Sequence, residues 1–210
     1  MKRIVLASLL ALACFLPAQA KAADEISING STTVLPIMQK VSEAYMAANP
    51  NVQIALSGGG SGNGIKALID GLTDIAMSSR DIKGSEKELA AKKGVNPVRT
   101  AVAVDALVPV VNPKNPIGEL SLEQLKDIYT GTITNWKDVG GQDLDIVAFQ
   151  RRSDSGSQTL FQKLLIQGGE LMDPPTELAP TAMGELVDSL AAYNNSANAI
   201  GFSVYYYIDQ

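Results

Sequence analysis

Histidine is missing from all 210 residues. That absence removes the Ser-His-Asp and Cys-His nucleophile systems, together with most zinc sites. Cysteine occurs once, as Cys14, so no disulfide can staple the chain and its fold needs a hydrophobic core. Basic residues are scarce, 17 against 22 acidic, which speaks against nucleic acid or an anionic membrane surface as partner, since both want a basic face. A buried site for a small anion stays open, because local donors govern it rather than the global sum. Beyond the N-terminus no segment approaches the roughly eighteen apolar residues of a membrane span.

Lys2 and Arg3, the apolar stretch from Ile4 to Leu16, and Ala18-Gln19-Ala20 together predict a secretory signal peptide over residues 1–20. Cleavage is expected after Ala20, with Ala22 as a second site. Lipid anchoring at Cys14 is disfavoured, because Ala11-Leu12-Ala13 is a poor lipobox and Phe15-Leu16-Pro17 continues the apolar region past the cysteine. Removing Lys2 and Arg3 leaves 15 basic residues against 22 acidic, a net charge of −7. The mature chain is expected to be exported, without disulfides, and long enough for one large domain or two small ones.

Strands are predicted at Glu25–Asn29, Val52–Leu56 and Asp74–Met77. Between them the periodicity predicts helices over Pro36–Ala48, with Ile37, Val41, Ala44 and Tyr45 on its apolar side, and over Gly64–Asp70. A polar helix over Glu86–Lys93 follows. This alternation is the pattern of a sheet with crossover helices. The long apolar run from Arg99 to Asn112 exceeds one average strand and reads as a passage between two lobes. Beyond it, Ser121 and Gln124 form a capping box for a helix to Tyr129. A strand at Asp145–Gln150, helices at Ser155–Leu165 and Met183–Tyr193, and a second apolar crossing at Ala199–Ser203 complete the pattern: α/β, two-lobed, with a cleft.

Three runs rich in glycine and hydroxyls sit where strands give way to helices: Gly30 to Thr33, Gly58 to Gly64, and Arg151 to Ser157. N–H groups at a helix start lack intrahelical partners and sit at the positive end of the macrodipole, so they bind anions. The Gly58 run is neither a G-x-G-x-x-G nor a P-loop, since Lys66 follows Ile65; as an isolated feature it is a flexible connection, and Ser61 before an apolar helix turns it toward an anion nest. Gly30 to Thr33 alone is an ordinary helix cap. Arg151 adds a planar fork of donors, with Ser155 and Ser157 beside it. Met77 to Asp81 is a fourth candidate, with Ser79 or Arg80 facing the cleft and Asp81 available to pair with Arg80.

In their order and spacing, these segments resemble the periplasmic phosphate-binding proteins of ABC transporters. Gly30-Ser31-Thr32-Thr33-Val34, Gly60-Ser61-Gly62, Asp74 to Arg80, Ile133-Thr134-Asn135-Trp136 with Gly140-Gly141, and Arg151 with Ser155-Gly156-Ser157 carry the likeness, which runs from Ile26 to Phe202. It implies a two-lobed, type II-like binding-protein fold, with lobe 1 at 24–105, lobe 2 at 106–200 and the return to lobe 1 beginning at 201–210. It implies phosphate ligands at Thr32, Thr33, Ser61, Ser79, Arg80, Arg151, Ser155, Gly156 and Ser157, with no cofactor, metal or catalysis. The implied partners of the monomer are inorganic phosphate and a membrane permease. Ser79 stands where family members place an aspartate, which opens the selectivity against sulfate. Family members also continue past the second crossing, so a C-terminal part is expected to be missing. The competing readings are another tetrahedral oxyanion, a phosphate sensor, and a serine phosphoester hydrolase, the last lacking both a histidine and a carboxylate cluster.

Overall fold

A computed structural model describes residues 24–167, 169–174, 178–192 and 197–208. The expected signal peptide and Cys14 lie outside these residues. The chain runs β1 (Asp24–Gly30), α1 (Leu35–Ala48), β2 (Val52–Gly58), α2 (Ser61–Ile69), β3 (Ile75–Met77) and α3 (Gly84–Lys92). It continues through β4 (Leu107–Val111), α4 (Leu122–Tyr129), β5 (Val147–Ala148), α5 (Gly156–Leu165), α6 (Met183–Ala192) and β6 (Ala199–Val204).

Two three-stranded sheets result, each the centre of a lobe. The first has the order β2-β1-β3 and is wholly parallel, with Ile28 opposite both Leu56 and Ile75. Parallel neighbours need crossover connections, which α1 and α2 supply. The glycines of α2 bring it down on the sheet: a β-carbon on Gly64 would lie 2.6 Å from the carbonyl oxygen of Asn29. The second sheet has the order β4-β6-β5, with β6 antiparallel to β4 and parallel to β5. Every residue of β6 is buried, as a central strand between helices demands. Around it lies the aromatic core, where Phe161 stacks on Phe202 at 4.2 Å and meets Tyr129 edge-on at 4.7 Å. Trp136 is buried there and donates from Nε1 to the carbonyl of Asn198.

Four expectations need correction. The strand β6 continues to Val204, pairing Gly201 with Val110 and Phe202 with Pro109, so residues 201–204 belong to the second sheet and the expected boundary at 200 falls inside a strand. Of the apolar run Arg99–Asn112 only Leu107–Val111 is a strand; it lies at a sheet edge, where Pro109 costs no ladder bond. Residues 96–106 have no regular structure, and Val98, Val102 and Val104 stand exposed. An apolar alternation becomes a strand only when a ladder partner is beside it. On α1, Val41, Ala44 and Tyr45 are exposed while Ser42 is buried, so the buried face is turned from the expected one. The strand Asp145–Gln150 shortens to Val147–Ala148, and Tyr193, the expected end of the last helix, lies outside the described residues. Among the described residues no helix is long and apolar enough to cross a membrane.

Candidate oxyanion site

Parallel pairing brings the C-terminal ends of β1, β2 and β3 to one edge, where Gly30 lies beside both Gly58 and Met77. This is where an open α/β sheet gathers its ligand-binding loops. After β1, the turn is capped by Ser31, whose buried hydroxyl accepts from the N–H groups of Thr33 (3.2 Å) and Val34 (3.3 Å). After β2, Gly60 takes φ +95°, a left-handed conformation that a side chain would strain. It turns the chain into α2, which begins at Ser61, three residues before the predicted start. Ser61 is fully buried; its Oγ accepts from the N–H of Ser79 at 3.1 Å and lies 3.3 Å from the Ser79 hydroxyl.

The other lobe presents the start of α5. Ser155 is its N-cap, accepting from the N–H of Gln158, and its hydroxyl lies 2.9 Å from that of Ser157. Gly156 allows the lobes to close, since a β-carbon there would collide with the hydroxyls of Ser61 and Ser79. Asp154 binds the facing helix twice. Its carbonyl accepts from the N–H of Gly62 and its carboxylate from Asn63 Nδ2, each at 3.0 Å.

Arg151 is the central cation and is only 3% exposed. Nε donates to the carbonyl of Pro180 (3.1 Å), and Nη2 donates to the carbonyl of Thr181 (2.6 Å) and to Thr32 Oγ1 across the cleft (3.1 Å). Nη1 is buried without a hydrogen-bond partner. Among the described residues no carboxylate forms an ion pair with this guanidinium. Burial pulls it down to about 10, against the opposing pull of Asp154, Tyr207 and Glu185, so it is charged at neutral pH. The Arg151 backbone N–H donates to Gln158 Oε1 at 2.7 Å, and Gln158 in turn donates to Gln150. Tyr207 closes the cluster by donating its hydroxyl to the carbonyl of Thr32 at 2.9 Å.

Arg80 does not pair with the Asp81 carboxylate, which faces Arg99 at 3.1 Å. Both of its terminal nitrogens donate to Glu86, Nη1 to Oε2 at 2.8 Å and Nη2 to Oε1 at 2.7 Å. The structure thus gathers Thr32, Ser61, Ser79, Arg151, Ser155, Gly156 and Ser157 about the lobe contact. Thr33 and Arg80 line an adjoining cavity of about 420 Å³ with Ser79 and Ser157. A larger cavity of about 880 Å³ reaches Arg151 but none of Thr32, Ser61, Ser155 or Ser157, and carries Glu170, Asp173 and Glu185. Its lining also holds Arg152, so its charge is mixed and it shares only Arg151 with the hydroxyl cluster. Among the described residues no cluster of carboxylates, histidines and cysteines could hold a metal ion.

Sequence reasoning missed Asn63, Asp154, Tyr207, the two carbonyls that hold Arg151, and Glu86. No local signal marks Pro180 and Thr181, which lie 29 and 30 residues from Arg151.

A family model described as a PBP superfamily domain matches residues 17–206. The chain belongs to the PBP superfamily. Among curated proteins it is similar to the phosphate-binding protein PstS of Bacillus subtilis, with 31% identity over 188 residues, 90% of this chain and 59% of that one. It is 40% identical over 122 residues to phosphate-binding protein PstS 2 of Streptococcus agalactiae, covering 58% of this chain and 40% of that one. The chain therefore spans about half the length of these curated relatives. Among solved structures, it resembles a substrate-binding protein from Clostridium perfringens that holds bound phosphate, with a TM-score of 0.72 and 34% identity. That match covers 88% of this chain and 72% of the other. An ABC-type phosphate transport receptor from Vibrio cholerae matches with a TM-score of 0.64 and 34% identity over 88% of this chain and 73% of that one. These PBP superfamily neighbours share the two-lobed α/β architecture.

Proposed function

We propose that this chain is a non-catalytic carrier that binds inorganic phosphate between its lobes and delivers it to the permease of an ABC transporter in the periplasm. The observation that carries the reading is Arg151: a charged guanidinium, almost wholly buried, with the two N–H groups of Nη1 unused among the described residues. An uncompensated buried cation is expensive, and an anion drawn into a cluster of hydroxyl and amide donors offsets that cost through charge-assisted hydrogen bonds. The ligand residues are Thr32, Thr33, Ser61, Ser79, Arg80, Arg151, Ser155, Gly156 and Ser157. Residues 24–105 form the first lobe and the second begins at 106. The names of the similar proteins, and the phosphate in the Clostridium perfringens structure, point to phosphate among the oxyanions.

A second reading, a carrier of another tetrahedral oxyanion such as sulfate, is favoured by one feature. Among the described residues no carboxylate hydrogen-bonds to the hydroxyls of Thr32, Ser61, Ser79, Ser155 or Ser157. A carboxylate there would accept the proton of hydrogen phosphate and repel sulfate. Isothermal titration of the mature chain with phosphate, sulfate and arsenate separates the two. Tight phosphate binding with weak sulfate binding is expected, and equal affinities overturn the phosphate assignment. Incubation with a chromogenic phosphoester is expected to give no turnover.

A further inference from the structure

Arg80 is one residue beyond Ser79, and its guanidinium is wedged against the first turn of α2: a β-carbon on Gly62 would lie 3.5 Å from its Nη2. Its side chain is 6% exposed, and its Nε is buried without a hydrogen-bond partner. Both terminal nitrogens are taken by the two oxygens of Glu86, while Nη1 also donates to the carbonyl of Asp81 at 2.9 Å. Glu86 is itself anchored, because Oε2 accepts from the N–H of Lys83 at 2.8 Å, the cap of α3. Arg80 and Arg151, from opposite lobes, therefore each hold a buried guanidinium nitrogen without a hydrogen-bond partner, Nε with one N–H in Arg80 and Nη1 with two in Arg151.

We infer that Glu86 is a positioning residue for the anion site, fixing Arg80 through a fork-to-fork pair so that its remaining edge, Nε–H beside the second N–H of Nη2, serves the ligand. This rests on the phosphate reading above. A bidentate arginine–carboxylate pair fixes the guanidinium plane as well as its position. Glu86 also cancels the charge of Arg80, so Arg80 contributes a directed donor and leaves Arg151 as the cation that neutralises the anion. Burial works to raise the Glu86 carboxyl, but Arg80 and the Lys83 N–H together hold it below the usual range, so Glu86 is a carboxylate at neutral pH.

The experiment is a phosphate titration of the full chain in four forms: wild type, Glu86→Gln, Arg80→Gln and the double variant. Glutamine at 86 keeps an acceptor for the Lys83 N–H, preserving the cap of α3, but cannot accept from both terminal nitrogens of Arg80. Each single variant is expected to weaken phosphate binding at least tenfold, and the double variant is expected to be no weaker than either single one. Unchanged or tighter binding by Glu86→Gln overturns the inference, as does a double variant whose loss is the product of the two. Arg80→Lys provides a second check. It retains the charge and an ion pair with Glu86 but has no Nε–H, so a tenfold loss at unchanged melting temperature supports the inference and wild-type affinity overturns it. A wild type that binds no phosphate sinks the phosphate reading and this inference together. A wild type that binds while Glu86→Gln is unaffected sinks this inference alone.

Discussion

At the scale of single residues, the site is built on tolerated expense. Arg151 is buried, yet among the described residues its guanidinium receives two carbonyls and one hydroxyl, leaving Nη1 unused. Hydrogen bonds to charged groups contribute about 1.5–3 kcal/mol each, so an anion that completes this set gains at least one strong bond. Arg151→Ala is therefore expected to weaken phosphate binding by roughly a hundredfold, or about 2.8 kcal/mol, measured by titration calorimetry. Arg151→Lys is expected to fall nearly as far, because an ammonium cannot reach Pro180, Thr181, Thr32 and a ligand from one planar fork. Gly156 is the opposite case, a residue valued for having nothing. Any β-carbon there meets the hydroxyls of Ser61 and Ser79, so Gly156→Ala is expected to abolish binding and lower the melting temperature. Gly84→Ala is the control, since nothing lies within 4 Å of its β-carbon; its phosphate affinity should match wild type.

At the scale of elements, what was legible in the sequence is what depends on near neighbours. The capping box of α4 was readable because Ser121 and Gln124 are three residues apart, and both of its bonds form, at 2.9 and 3.1 Å. The glycine and hydroxyl runs were readable because strand ends and helix starts adjoin in the chain. The partner of Arg80 was not, because Asp81 is nearer in sequence and only the turn into α3 brings Glu86 onto the fork. The run from Arg99 was misread for a related reason: its apolar residues do not specify which sheet edge, if any, will receive them. Glu86 links one such hidden pairing to α3, and a pH prediction follows at this scale. Its carboxyl is depressed in the folded state below the ordinary 4.5. That contribution to stability is complete above about pH 4.5 and is lost as pH falls through the lowered value. The wild-type melting temperature is expected to drop over this acid window, and Glu86→Gln to show a shallower drop. Parallel curves would show that the pair adds no pH-dependent stability.

At the scale of the whole molecule, the two lobes are unequal. The second holds the large buried side chains, Trp136, Tyr129, Phe149 and Phe202 among them, whereas the first buries a small cluster of Ile65, Ile69 and Ala90. The contact between them is polar: Gly62 and Asn63 on Asp154, Arg151 on Thr32, and Tyr207 on Thr32. Such bonds contribute about 1 kcal/mol each where both groups are neutral and about 1.5–3 kcal/mol where Arg151 or the Asp154 carboxylate takes part, enough to bias the lobes toward closure. A ligand that touches both lobes shifts this balance by its differential affinity for the closed form. Tyr207 is the useful probe, because its hydroxyl bonds the carbonyl of Thr32 and leaves the hydroxyl of Thr32 to Arg151. Tyr207→Phe thus removes one closing bond while keeping the ring and every proposed phosphate ligand. Weakening closure lets the lobes part more often around a bound ion, so the loss belongs in the dissociation rate. Stopped-flow measurement with phosphate is expected to show dissociation about fivefold faster, the equivalent of roughly 1 kcal/mol, with association changed little. An unchanged dissociation rate would remove Tyr207 from closure and leave Asp154, which holds both Gly62 and Asn63, and Arg151 on Thr32 as the holds between the lobes.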